Sequence, residues 1–363
     1  MASYLLAGGG TAGHVNPLLA VAAELRRRDP DVRVTALGTS EGLEAELVPA
    51  AGLHLALVPR VPIPRRPTLD LVRVPARLRA AVRAAGAAID AAGADVVVGF
   101  GGYVAAPAYL AARRRGVPVV VHEANARPGL ANRLGARWAA AVAVTFPGTP
   151  LRGAVLTGLP LRPEIAALVT RSAAEAALAR TEARAALGLD PARRTVLVSG
   201  GSLGAVSINR AAAEAGAVLV ASGAQVLHLT GAGKDAEVRD AAPAAHYHVR
   251  EYLPEMHLAY AAADLVVCRA GAGMVSELAA LGLPAVYVPL PIGNGEQRRN
   301  AESVVDAGGG ILVDDAELSA EWLVTHVAGM DEASLAAMAR AARSVGIRDG
   351  AARVAELVTG AAW

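Results

Sequence analysis

Residues 8–14, GGGTAGH, bring spaced glycines, a hydroxyl and an imidazole into one short segment. Gly8, Gly10 and Gly13 satisfy the G-x-G-x-x-G spacing of a turn that presents backbone N–H groups to a dinucleotide. A nicotinamide dinucleotide would also want an acid after the second strand, where Leu37, Gly38, Thr39 and Ser40 stand. The loop therefore reads as a cradle for a phosphate of another kind, with little bulk from Gly9 to Gly13 and a hydroxyl from Thr11. His14 opens the helix that follows. The positive end of that helix favours a neutral ring, which can accept a substrate proton or only hydrogen-bond its own loop.

Other strand ends carry similar groups. In GFGGY, residues 99–103, Gly101 and Gly102 allow close backbone approach and Tyr103 follows them, although tight packing alone would also explain the glycines. His122 and Glu123 come directly after an apolar run, and Asn125 completes a polar cluster. In the second half GGSLG, residues 200–204, repeats the anion-loop logic around Ser202, and Arg162 stands where a guanidinium can meet phosphate oxygens. CRAGAGMVSE, residues 268–277, opens a helix at Gly271 and Gly273 and sets Glu277 about one turn inside it. A carboxylate there can accept both hydroxyls of a ribose, or be a solvated face. Glu296, Gln297 and Asn300 sit at helical spacing after a later strand, where amides can read sugar hydroxyls or simply start a helix.

Such residues work together only if the fold delivers them to one edge of a sheet. Two stretches, starting at Ser3 and at Thr195, share one layout of apolar strand, glycine turn and amphipathic helix. Further strands are expected at 32–37, 95–99, 117–122 and 141–145, then at 225–230, 246–250, 264–268, 285–289 and 310–313. Regular alternation with helices predicts an α/β chain that begins its fold twice, with parallel sheets and ligands at the carboxyl ends of the strands. The charged, Ala-rich stretch 164–194 reads as a helical linker between a first domain, 1–163, and a second, 195–345.

Composition narrows the function. With 54% hydrophobic but only 3% aromatic residues, the 363-residue chain suits helices on buried strands, in two domains. The single cysteine, Cys268, excludes an internal disulfide and a multi-cysteine metal site, and fits a reducing compartment. A net charge of +2 and the lack of finger, zipper or RNA-binding motifs argue against nucleic acid. The amino terminus lacks a basic segment before its short apolar run, unlike a secretory signal, and no apolar run approaches membrane-spanning length. No metal is expected, since the only D-x-D, at Asp29 and Asp31, lies at the wrong end of the sheet.

Taken in order, GGGTAGHVNP, GFGGY, HEAN, GLPLR, GGSLGA, CRAGAGMVSELAALGLP and EQRRNA resemble the family of UDP-N-acetylglucosamine:N-acetylmuramyl-(pentapeptide)-pyrophosphoryl-undecaprenol N-acetylglucosamine transferases along nearly the whole chain. The resemblance implies a GT-B architecture, two Rossmann-like doubly wound domains facing across a cleft, with residues 346–363 returning as a helix to the first domain. It implies donor binding of UDP-GlcNAc by the second domain, with Glu277 on the ribose, Ser202 and the Gly271 and Ala272 helix start at the diphosphate, Arg162 close by, Gln297 near the sugar and Leu253 and Met256 flanking uracil. The first domain would hold the lipid-linked acceptor, lipid I, through Thr11, Ala12, Gly13, Gly101, Gly102, Tyr103, His122, Glu123 and Asn125, with His14 as the catalytic base. No cofactor is implied. Two positions depart from the family: Ala124, where glutamine is usual, and Ala270, where serine is frequent.

A lipid acceptor raises the membrane. Residues 60–83 carry seven arginines and one acid, Asp70, interleaved with Ile63, Leu69, Leu71, Val72, Val74 and Leu78. Such a segment can dock on an anionic membrane surface, making the protein peripheral on the cytoplasmic face of the cell membrane, or its leucines can face the core of an ordinary helix. Rival readings are a transferase for another lipid or secondary-metabolite acceptor, a UDP-GlcNAc 2-epimerase and a donor-binding adaptor without activity.

Overall fold

Strands buried on both faces read as short unbroken apolar runs. In the computed structural model, which describes residues 1–61 and 74–362, such runs form two open, all-parallel sheets. The chain divides into two compact units, Met1–Arg162 with Asp349–Trp363, and Pro163–Arg348.

In the first unit β1 (Ser3–Ala7), β2 (Arg33–Gly38), β3 (His54–Leu57), β4 (Val96–Gly99), β5 (Val119–Glu123), β6 (Ala141–Val144) and β7 (Ala154–Leu156) lie in the order β3-β2-β1-β4-β5-β6-β7. In the second, β8 (Arg194–Ser199), β9 (Ala224–Leu229), β10 (Tyr247–Arg250), β11 (Leu265–Cys268), β12 (Ala285–Tyr287) and β13 (Gly310–Leu312) lie in the order β10-β9-β8-β11-β12-β13. The order reverses beside β1 and β4 in one unit, and beside β8 and β11 in the other. The carboxyl ends of those pairs are where such sheets bind ligands. β3 and β7, HLAL and AVL, are not among the strands expected from sequence; they are short edge strands whose residues are partly exposed.

The helix Ala12–Arg28 buries Val15, Leu18, Val21, Ala22 and Leu25, one stripe at helical spacing, and ends in Arg26, Arg27 and Arg28 at the negative end of its dipole. The last helix, Gly350–Gly360, adds Val354, Ala355 and Val358 to the same core. Helices Pro163–Val169 and Ala173–Leu187 belong to the second unit. The latter starts with a capping box between Ser172 and Glu175 and ends at Gly188 in the left-handed region, φ 73°. Its buried Arg184 donates to Asp264 (2.6 Å) and to the Ala262 and Pro191 carbonyls, tying the helix to the start of β11.

Within the basic stretch, Ile63, Leu69, Asp70, Leu71 and Val72 lie outside the described residues. In the described helix Val74–Ala92, Leu78 packs on the core while Arg79 and Arg83 are exposed. Among the described residues no helix is long and apolar enough to cross a membrane.

Candidate functional site

The turn after β1 and the loop after β4 meet around His14. Thr11 is the extended N-cap of the first helix, and Ala12 and Gly13 form its first turn, whose N–H groups lack intrahelical partners. His14 is half-buried, with Nδ1 3.1 Å from the Gly9 carbonyl and 3.2 Å from the Thr11 hydroxyl. A carbonyl only accepts, so Nδ1 carries the proton and Nε2 presents the lone pair. Burial pushes the ring's pKa down, against the Gly9 carbonyl and the charges of Glu123 and Glu44, which favour protonation. A neutral imidazole with one free nitrogen is a proton acceptor near neutral pH.

Gly101 and Gly102 take φ 96° and 77°, which side chains disfavour, and a Cβ on Gly101 would lie 3.0 Å from His14 Nε2. The missing side chain leaves room beside the lone pair. Tyr103 is exposed at the rim, with the Arg60 guanidinium 5.2 Å from its ring centre, and both line a cavity of about 110 Å³ with Gly9, Gly10 and Thr39. Glu123 is buried and accepts from the backbone N–H of Asn125 (2.9 Å) and Gly129 (3.0 Å) and from the Asn132 amide (2.9 Å). It braces the loop that carries Asn125. The His122 ring is fully buried, with its pKa pushed down to about 4 by loss of solvent. The nearby Gly158 backbone opposes that shift, yet neither ring nitrogen has a partner in hydrogen-bond geometry. His122 thus offers a ligand no ring surface; its carbonyl accepts from Asn132 (3.0 Å).

In the second unit Ser202 is exposed in the turn after β8, which closes so tightly that a Cβ on Gly200 would collide with the Ala205 amide. Gly271 is the extended N-cap of the helix Ala272–Leu281, and a Cβ on Gly271 or Gly273 would meet nothing within 4 Å, so the approach to this helix start is open. Glu277 is buried inside the same helix and accepts from the Tyr260 hydroxyl (2.9 Å). Gln297 accepts from the Leu290 N–H (3.0 Å), and Asn300, fully buried, donates to the Ala270 carbonyl (3.2 Å). Asn300 therefore steadies the turn before Gly271. Leu253 is buried, and Met256 begins the helix Met256–Ala262 that carries Tyr260. Arg162 is the last residue of the first unit. Ala124 and Ala270 are both buried, so their methyl groups face packing.

Residues 4–144 match the glycosyltransferase family 28 N-terminal domain and residues 195–356 its C-terminal domain. The chain belongs to glycosyltransferase family 28. It is 57% identical to a UDP-N-acetylglucosamine--N-acetylmuramyl-(pentapeptide) pyrophosphoryl-undecaprenol N-acetylglucosamine transferase of Nocardioides sp., over 98% of this chain and 96% of that one. It is 58% identical to the protein of the same name from Clavibacter sepedonicus, over 99% and 96%. Among solved structures, Acinetobacter baumannii MurG superposes with a TM-score of 0.77 at 28% identity, covering 99% of this chain and 100% of that chain. The two parallel-sheet units are those of a GT-B glycosyltransferase.

Several supports of this family 28 site were not singled out from sequence. Asn132 accepts from the Tyr109 hydroxyl (2.7 Å) while its amide holds His122 and Glu123, so one buried side chain joins three elements. Arg269 donates to Asp315 and to Ser207, joining β11 to the helix Val206–Ala221. Glu44, fully buried, accepts from the Gly10 N–H (2.8 Å), the Thr39 N–H (2.9 Å) and the Thr39 hydroxyl (2.7 Å). Asn132 and Glu44 stand among apolar or helix-forming neighbours, and only their distant partners reveal them.

Proposed function

We propose that this chain is an inverting N-acetylglucosaminyltransferase that moves GlcNAc from UDP-GlcNAc to the muramyl sugar of lipid I, forming lipid II in peptidoglycan synthesis. The observation that carries the reading is the 57% identity, along nearly the full chain, to a transferase named for that reaction. The geometry at His14 supports it. His14 Nε2 takes the proton of the acceptor hydroxyl as its oxygen bonds to the anomeric carbon from the side opposite UDP. The bond from that carbon to the diphosphate breaks, and an α-linked donor gives a β-linked product.

The leaving diphosphate gathers negative charge. In this reading it is met by the helix start at Gly271 and Ala272 and by the turn around Ser202, whose N–H dipoles are already oriented. Glu277, oriented by Tyr260, accepts from the ribose; Gln297 lies toward the sugar, and Leu253 and Met256 flank the base. Thr11, Ala12, Gly13, Gly101, Gly102 and Tyr103 hold the acceptor's pyrophosphate side, with Asn125 in the same role, and Arg162 is assigned to the donor phosphates. The acceptor's lipid places the enzyme on the cytoplasmic face of the cell membrane as a peripheral protein, and Arg79 and Arg83 are exposed cations suited to an anionic surface.

The test is transfer of radiolabelled GlcNAc from UDP-GlcNAc to a lipid I analogue, with EDTA present and a control lacking acceptor. Acceptor-dependent, EDTA-resistant product is expected. Donor binding without product would move the acceptor to another lipid, and UDP release without acceptor would favour the epimerase reading.

A further inference from the structure

Residues 37–40, at the end of β2, hold no acid; Glu41 just beyond them is exposed and pairs with Arg60, but Glu44 is turned inward beneath the turn. Three glycines leave the space that the Glu44 side chain fills: a Cβ on Gly9 or Gly42 would collide with the carboxylate, and one on Gly38 with its stem. Burial raises the pKa of this carboxyl, but the N–H groups of Gly10, Thr39 and Glu44 itself and the Thr39 hydroxyl outweigh burial and hold it below its ordinary value. Glu44 is therefore a buried anion at neutral pH.

Its Oε2 takes the Gly10 N–H at 2.8 Å, and the Gly9 carbonyl takes His14 Nδ1 at 3.1 Å. These are the two ends of one peptide group. No peptide bond in the described residues is cis, so N–H and C=O point in opposite directions across that plane. A carboxylate fixing the N–H end fixes the direction of the carbonyl and, by polarising the amide, strengthens it as an acceptor. We propose that Glu44 is a positioning residue for the transfer reaction, acting through the Gly9–Gly10 peptide to hold His14 as its Nδ1–H tautomer with Nε2 toward the acceptor. The role resembles that of a carboxylate bonded directly to a catalytic imidazole, with one peptide group interposed. It rests on His14 being the base.

Substitution by glutamine separates the bonds. One amide oxygen can keep both donors from Thr39, which puts the NH2 group against the Gly10 N–H, donor to donor. The Gly9–Gly10 peptide then loses its anchor while the charge beside His14 disappears. The charged or titratable groups acting on His14 are Glu44, Glu123 and the neutral His122. Losing Glu44 removes one of two anions that favour protonation, so the His14 pKa must fall.

The experiment is nitrogen-15 histidine NMR on the full chain, followed across pH, together with the pH profile of kcat. In the wild-type protein His14 should be the Nδ1–H tautomer; a dominant Nε2–H form overturns the proposal without any variant. Glu44→Gln should mix the tautomers, move the acid limb of kcat to lower pH and lower kcat by about tenfold, less than the roughly hundredfold to ten-thousandfold that a general base supplies, with the KM for UDP-GlcNAc unchanged. An unmoved tautomer and limb would refute the peptide route. Thr39→Val removes a bond to Oε1 but spares charge and Gly10, so it should lower stability and leave the tautomer alone; a change equal to that of Glu44→Gln would assign the effect to general loosening and refute the route as well. If His14→Ala keeps full activity, the base reading fails, while the tautomer measurements still decide whether Glu44 orients the ring.

Discussion

The two units share a strand order and a glycine turn at the same switch point, yet the groups behind each turn differ in charge. Behind Gly9 and Gly10 lies the Glu44 carboxylate, with Glu123 under the neighbouring loop, and both oppose the fall in His14 pKa that burial imposes. The turn Gly200 to Gly204 meets backbone and a cation instead: Gly204 is pressed against the Thr230 carbonyl, which accepts from Asn209 (3.0 Å), and the Lys234 ammonium donates to the Leu203 carbonyl (2.5 Å). The acid that reaches this end, Asp315, is paired with Arg269 and takes the Ser207 hydroxyl (2.6 Å). A turn backed by anions keeps a proton acceptor basic, whereas a turn without a carboxylate behind it leaves its N–H dipoles to an anion. In the proposed reading one topology thus serves two chemistries, with the groups behind each turn choosing between them.

The sharpest way to break this contrast is His14→Ala. Removing a general base should lower kcat by about a hundredfold to ten-thousandfold, while calorimetric binding of UDP-GlcNAc stays near the wild-type value. Loss of donor binding would mean that the first unit's turn also serves the donor. Next in size is Glu277→Ala, which removes the carboxylate proposed to accept from the ribose. Such bonds contribute about 1.5–3 kcal/mol, so the Kd for UDP should weaken by roughly ten- to a hundredfold, with no shift in the pH profile of turnover. An unchanged Kd would remove Glu277 from the ribose.

Much of this was legible in the chain. Periodicity located the central strands because parallel strands buried on both faces carry apolar residues at consecutive positions; the edge strands β3 and β7 are largely apolar too but only four and three residues long. Glycine spacing located the turn after β8 and the loop after β4, because close approach and positive φ leave no other residue possible at Gly204 or Gly102. The supporting shell was not legible. Glu44 reads as an ordinary acid in the first turn of a helix, Tyr260 as a core aromatic and Asn132 as a helix-surface amide, since their partners lie 34, 17 and 9 residues away. His122 was read as a ligand group because it follows a strand, but the β5 residue that reaches the loop network with its side chain is Glu123, and alternation turns His122 inward.

The smallest effects compare two buried imidazoles, one in each unit. Burial pushes both His122 and His228 down to about 4, from 6.5 in an unfolded chain. Between those values the unfolded chain binds more protons, so stability rises with pH across that window and is lost as pH falls from about 6.5 toward about 4. His228 is nevertheless well partnered: Asn209 Nδ2 donates to Thr230, which turns Oδ1 toward Nε2–H (3.1 Å) and leaves Nδ1 to accept from the Tyr247 hydroxyl (2.8 Å). His228→Leu should therefore cost about 1–3 kcal/mol for each buried group left unpaired, measured as the urea midpoint at pH 7. His122→Leu removes no partnered nitrogen and should cost less than His228→Leu at pH 7, while both variants flatten the loss of stability on going to pH 5. Equal costs at pH 7 would mean that the His122 ring is engaged as His228 is, and the contrast between an unpartnered and a partnered imidazole would not stand.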